Sequence, residues 1–216
     1  MILGQKNECG MSKIYDNIGE NKFENGLHEI LTAPGVRRAD FCVGYFNLRG
    51  WKSVADDIEK LPGDDVLEKT HVGGKEMNVS VKRTCRLLIG MYRPLPELIR
   101  DLYAVTKPVV DAERVKRWKR MISADFRRQL TLGAPTAEDE ASLKKLRDQL
   151  VNDKVAVKLY LHSPLHAKLY LAHRPKDPTP ILSIMGSSNL TYGGLSRNGE
   201  LNAEFADVGD TKVYDK

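Results

Sequence analysis

The residues best able to do chemistry lie in the last third of the chain. In the run LHAKLYLAH (165–173), strand alternation puts His166, Lys168 and Tyr170 on one side and Ala167, Leu169 and Leu171 on the other. An imidazole and an ammonium therefore face the same way. A neutral imidazole can attack phosphorus, and a fixed cation beside it can neutralise phosphoryl oxygens as charge builds in the transition state. The next apolar run, ILSIM (181–185), ends at Gly186-Ser187-Ser188-Asn189, where a glycine lets the backbone turn and short polar side chains supply donors for an anion. Downstream, Gly199-Glu200-Leu201-Asn202 places a carboxylate ahead of NAEFADV. From there Glu200 can accept a hydrogen bond from one imidazole nitrogen and fix the tautomer of the other, as a histidine nucleophile requires.

Metal chemistry is not expected. His162, His166 and His173 are separated by Pro164 and have no Asp, Glu or Cys at ligand spacing, so neither a metal nor another cofactor is assigned. Cys9, Cys42 and Cys85 match no zinc-ligand spacing and leave one thiol over from any single disulfide, which fits a reducing environment. The balance of 34 basic against 29 acidic residues, a net charge of +5, favours a polyanionic partner. Much of that excess lies in AERVKRWKRMISADFRRQL (112–130), a helix with Val115, Trp118, Ile122 and Phe126 on its apolar face. Its cations Arg114, Lys116, Arg117, Lys119 and Arg120 are the expected DNA-binding set, and Trp118 is expected in the core.

The elements that must position these groups alternate. With 41% hydrophobic and 29% charged residues among 216, the chain reads as one soluble globular α/β domain, not as a collagen-like or disordered polymer. No run of eighteen apolar residues exists and MILGQKNECG has no secretory pattern, so the expected location is the cytoplasm, with no membrane partner. Helical spacing predicts helices over 22–33, 51–61, 94–105, 112–130 and 136–150, the last opened by a capping box from Thr136 to Asp139. Buried strands are expected at ADFCVGYFNL and CRLLIGMY, with a polar, glycine-bearing excursion from Pro62 to Ser80 between them. A helical insertion spans about 106–150, and RPKDPTP is an exposed connection with no chemistry.

His166-x-Lys168, Gly186-Ser187-Ser188-Asn189 and Glu200, in this order, resemble the phospholipase D superfamily, whose signature joins His-x-Lys, a following Asp and a Gly-Ser-x-Asn turn. The nuclease branch is most similar, in particular the domains found N-terminal to Swi/Snf-like or superfamily-two helicases, which also carry a GYF element like Gly44-Tyr45-Phe46. The resemblance implies a mixed β-sheet flanked by helices on both faces and a metal-independent nuclease acting through a phosphohistidine. His166 is then the nucleophile, Lys168 and Asn189 bind phosphoryl oxygens with Ser187 or Ser188, and Glu200 orients His166. One position departs: the motif's Asp is His173 here. A single motif further implies a homodimer with the active site at its twofold axis, and a possible helicase or ATPase module in the same or another chain. The rival reading is a catalytically weak nucleic-acid-binding or targeting module of a helicase or restriction system.

Overall fold

In a computed structural model of the chain, residues 13–72, 75–90, 112–131, 136–160 and 165–205 are described. Their core is built on one mixed seven-stranded sheet. The strands are β1 (Ile14–Tyr15), β2 (Arg38–Val43), β5 (Cys85–Ile89), β6 (Val155–Leu159), β7 (Lys168–His173), β8 (Ile181–Gly186) and β9 (Asn202–Phe205), in the spatial order β1-β9-β8-β7-β2-β5-β6. β2, β5 and β6 run parallel, and β7 pairs antiparallel with β2 and β8. Register places Phe41 opposite both Leu87 and Tyr170, and Tyr170 opposite Ile184, so these apolar residues share one face.

That face is covered by helices whose apolar spacing matches it. α1 (Phe23–Thr32) buries Phe23, Leu27, Ile30 and Leu31, and the Phe23 ring meets Tyr170 edge-on at 5.0 Å. α2 (Leu48–Lys52) contributes Trp51, α3 (Ala55–Lys60) contributes Ile58, and α5 (Ala137–Val151) contributes Leu146 to the same core. Each such large apolar side chain gains roughly 1.5–3 kcal/mol on burial. Thr136 and Asp139 form the expected capping box at the start of α5. α4 (Ala112–Thr131) packs against α2 and buries Trp118, as its apolar stripe predicts. No described helix is long and apolar enough to cross a membrane.

Several boundaries differ from the sequence expectation. The segment 51–61 is two short helices, because Asn47 caps α2 by accepting from the Gly50 N–H at 2.7 Å and the chain breaks again at Ser53 and Val54. The polar excursion is an antiparallel hairpin, β3 (Asp64–Val72) with β4 (Lys75–Arg83). Its outer strand is exposed on both faces, so no alternation marks it in the sequence. β2 stops at Val43, and Phe46 instead bridges to Leu190. The strand expected from residue 165 begins at Lys168. The helix expected at 94–105 and the start of the insertion at 106–111 lie outside the described residues.

Candidate active site

The carboxyl ends of β2, β5 and β8 and the amino ends of β7 and β9 meet at one end of the sheet, where ligands commonly bind in open α/β sheets. Glycine makes the approach possible. A Cβ on Gly90 would lie 2.0 Å from the Leu165 carbonyl oxygen, so only glycine lets the chain ahead of β7 lie against the end of β5. The Leu165 N–H donates to the Gly90 carbonyl at 3.2 Å, which delivers the exposed His166 to this edge.

Lys168 follows as the first residue of β7, opposite Val43 and only 7% exposed. Its Nζ lies 2.6 Å from Nε2 of His166. Burial lowers the Lys168 pKa, and the negative charge of Glu200 partly opposes that shift. Among the described residues no carboxylate forms an ion pair with it, leaving the imidazole as its close polar neighbour.

The glycine-serine turn is tied to β9. A Cβ on Gly186 would meet the Leu201 carbonyl oxygen at 2.2 Å, so the residue type is set by strand proximity. Ser188 is wholly buried, and its amide donates to Asn202 Oδ1 at 3.1 Å. Its hydroxyl accepts from Asn202 Nδ2 at 2.9 Å, and its carbonyl accepts from the Tyr170 hydroxyl at 2.9 Å. The expectation that Ser188 binds phosphate is therefore corrected: it lies beneath the site and holds the turn. Burial fixes Tyr170 as a neutral donor, since desolvation raises its pKa well above the usual range.

Ser187 is exposed, donates its hydroxyl to Glu200 and accepts from the Leu201 N–H at 2.9 Å. Glu200 was expected on the imidazole. Its carboxylate instead accepts from Ser187, because the Gly186–Asn202 pairing sets the two side by side. Asn189 accepts the Tyr45 N–H on Oδ1 at 2.9 Å, and its Nδ2 has no protein partner among the described residues. His166, Lys168, Asn189, Ser187 and Glu200 thus share one end of the sheet. The cations Lys116, Arg117, Lys119 and Arg120 are exposed on α4, with Lys116 paired to Glu113 at 2.8 Å, while the Arg114 side chain lies outside the described residues.

Two neighbours escaped the sequence reading. Asn202 staples β9 to the turn, a role visible only once register is known. Tyr45 sits on the loop after β2, its ring edge-on to His166 with 6.4 Å between centroids. His173, at the departing motif position, lies on the other face of β7 from Lys168. There its Nε2 is 3.0 Å from Asp40, which also binds Arg38 and Arg86. Burial would raise the Asp40 pKa, but hydrogen bonds from Arg86 and His173 and the charge of Arg38 hold it well below the usual carboxylate range.

Comparison with curated proteins returns no match. Residues 84–216 match the protein family described as cardiolipin synthase, PLD-like domain, a span that takes in His166, Lys168, the Gly186–Asn189 turn and Glu200. With that match over more than half of its length and an α/β mixed sheet presenting these side chains at one end, the chain belongs to the phospholipase D superfamily.

Proposed function

We propose that this domain hydrolyses the phosphodiester bonds of DNA through a phosphohistidine on His166, with Lys168 supplying the positive charge that a metal ion supplies elsewhere. The observation that carries the reading is the contact of 2.6 Å between a buried lysine and an exposed imidazole, at a turn whose Asn189 amide has donors to spare. An ammonium donating to Nε2 makes that nitrogen the acceptor, with Nδ1 left to carry the ring proton. A phosphoryl oxygen that takes over the Lys168 donor releases the Nε2 lone pair.

Nε2 then bonds to phosphorus as the ester P–O bond breaks, with Lys168 and Asn189 holding the non-bridging oxygens. Glu200 is a positioning residue, acting through Ser187 and through its charge on Lys168. The departing oxygen needs a proton from the far side of phosphorus, where one imidazole cannot also stand. His28 is tied to Asp57 at 2.7 Å on the helical layer and His173 lies on the opposite sheet face, so neither fits that position. A second copy of the chain, facing its own His166 across a twofold axis, fits it. That imidazole then takes the proton of the water whose attack breaks the P–N bond. The exposed cations of α4 suit a DNA backbone, which supports DNA as the polyanion.

The test is cleavage of plasmid DNA in EDTA by the chain and by His166→Ala. Cleavage in EDTA that disappears in the variant supports the reading. Cleavage that stops in EDTA and returns with magnesium contradicts it. DNA binding with no cleavage would leave a targeting module of a helicase or restriction system. Turnover confined to a phospholipid would move the substrate to the lipid class that the family description names.

A further inference from the structure

Tyr45 is placed for a purpose the phosphoryl chemistry does not use. Its chain neighbours Gly44 and Phe46 are buried, yet Tyr45 is 47% exposed beside the nucleophile. The edge-on contact with His166 occupies only part of the ring. Its backbone N–H is held at 2.9 Å by Asn189, so the main chain that carries the ring is fixed relative to the amide assigned to the phosphoryl oxygens. The bridge between Phe46 and Leu190 anchors the next residue of each loop. Among the described residues none bonds the Tyr45 hydroxyl.

We infer that Tyr45 is a stacking platform for the base flanking the scissile phosphate, so that the enzyme selects nucleotides whose bases are unstacked, in single strands or frayed ends, over continuous duplex. The inference rests on the DNA phosphodiesterase reading and adds its substrate class. Within a duplex both faces of a base are covered by neighbours, so an open aromatic ring beside the nucleophile gains a stacking partner only from a base already out of the helix. A ring carried on a fixed main chain and resting edge-on against His166 has less conformational freedom to lose when the base arrives. Every base offers a π-face, so the platform predicts preference for unpaired strands without preference for sequence.

The test compares two single-stranded substrates of equal length in EDTA, a thymidine oligonucleotide and one made wholly of abasic tetrahydrofuran residues. Both present the same charge and the same phosphodiester. The wild-type chain should cleave the thymidine strand with a kcat/KM higher by roughly five- to hundredfold, the range expected from one aromatic–base stack. Tyr45→Leu should bring the ratio of the thymidine to the abasic kcat/KM down to about one, while Tyr45→Phe keeps the preference. A wild-type enzyme that cuts both strands equally overturns the inference without touching the nuclease reading. So does a Tyr45→Leu variant that keeps the preference, or one that loses both activities alike, which would make the ring a support for His166. Failure of the wild-type chain to cut either strand while it cuts plasmid DNA overturns the inference and leaves the nuclease reading standing, and failure on all three substrates removes both.

Discussion

Strand β7 carries two buried basic side chains on opposite faces, in opposite circumstances. His173 stands 3.0 Å from Asp40, whose carboxylate also takes hydrogen bonds from Arg38 and Arg86. Lys168 has no described carboxylate partner and rests on His166 alone. The first arrangement gathers its basic groups on one shared carboxylate, tying β2, β5 and β7 together. The second leaves a buried cation with no ion-pair partner among the described residues and only partly offset by the charge of Glu200, which costs stability and would be relieved when an anion binds. The difference separates structural polarity from polarity kept for a ligand. It also explains why the signature's Asp can be His173 here: the position lies on the other sheet face from Lys168 and belongs to a charge cluster completed by Asp40.

The largest expected effect breaks the structural cluster. Asp40→Asn leaves Arg38 and Arg86 without their shared carboxylate and should cost about 3–5 kcal/mol in urea denaturation, while the folded fraction retains the active-site geometry. The acid limb sharpens the point. The folded Asp40 pKa is depressed, so its stabilisation is full above the unfolded value and is lost as pH falls below it, through the acid range. The variant should lose less stability than the wild type on that descent. An unchanged acid limb would remove Asp40 from its place in the fold's electrostatics.

Lys168→Met should do the reverse. Turnover should fall by about 10²–10³, as on loss of one transition-state donor, with stability equal or raised. The sign follows from burial. Folded Lys168 titrates below its ordinary 10.5, so wild-type stability rises with pH between the two values as the unfolded chain holds the extra proton. The variant should lack that rise. Marked destabilisation by Lys168→Met would place the two sides of β7 in the same category.

Asn202→Ala lies between these cases, because Asn202 is buried and neutral yet holds the turn of the proposed site through Ser188. About 1–3 kcal/mol of stability should go with the orphaned Ser188 groups, and turnover should fall with it. The smallest effect belongs to the exposed helix: replacing Arg117, Lys119 and Arg120 with Gln should flatten the salt dependence of DNA binding by about one unit of slope per lost phosphate contact. An unchanged slope would confine binding to the site itself.

The side chains proposed to react were legible as a candidate set in the sequence because alternation along 165–173 and the Gly-Ser-x-Asn pattern are local signals. The helical layer was largely legible for the same reason, as apolar residues at helical spacing in 22–33 and Trp118 in the basic helix show. What escaped depends on register. The Asp40 cluster forms only when β2 lies between β5 and β7, and nothing in RADFCV marks Asp40 as buried among cations. Glu200 was assigned to the imidazole by pattern, but strand pairing sets it on Ser187. Tyr45 read as one residue of a buried strand, and its exposure follows from β2 ending at Val43.

The most direct measurement is to quench the reaction during turnover on DNA in EDTA and to seek the covalent intermediate by mass spectrometry under alkaline conditions, where phosphohistidine survives. The account predicts a nucleotidyl or phosphoryl adduct on the peptide containing His166, absent from His166→Ala. Sustained DNA cleavage with no adduct on His166, or with the adduct on another residue, would contradict it.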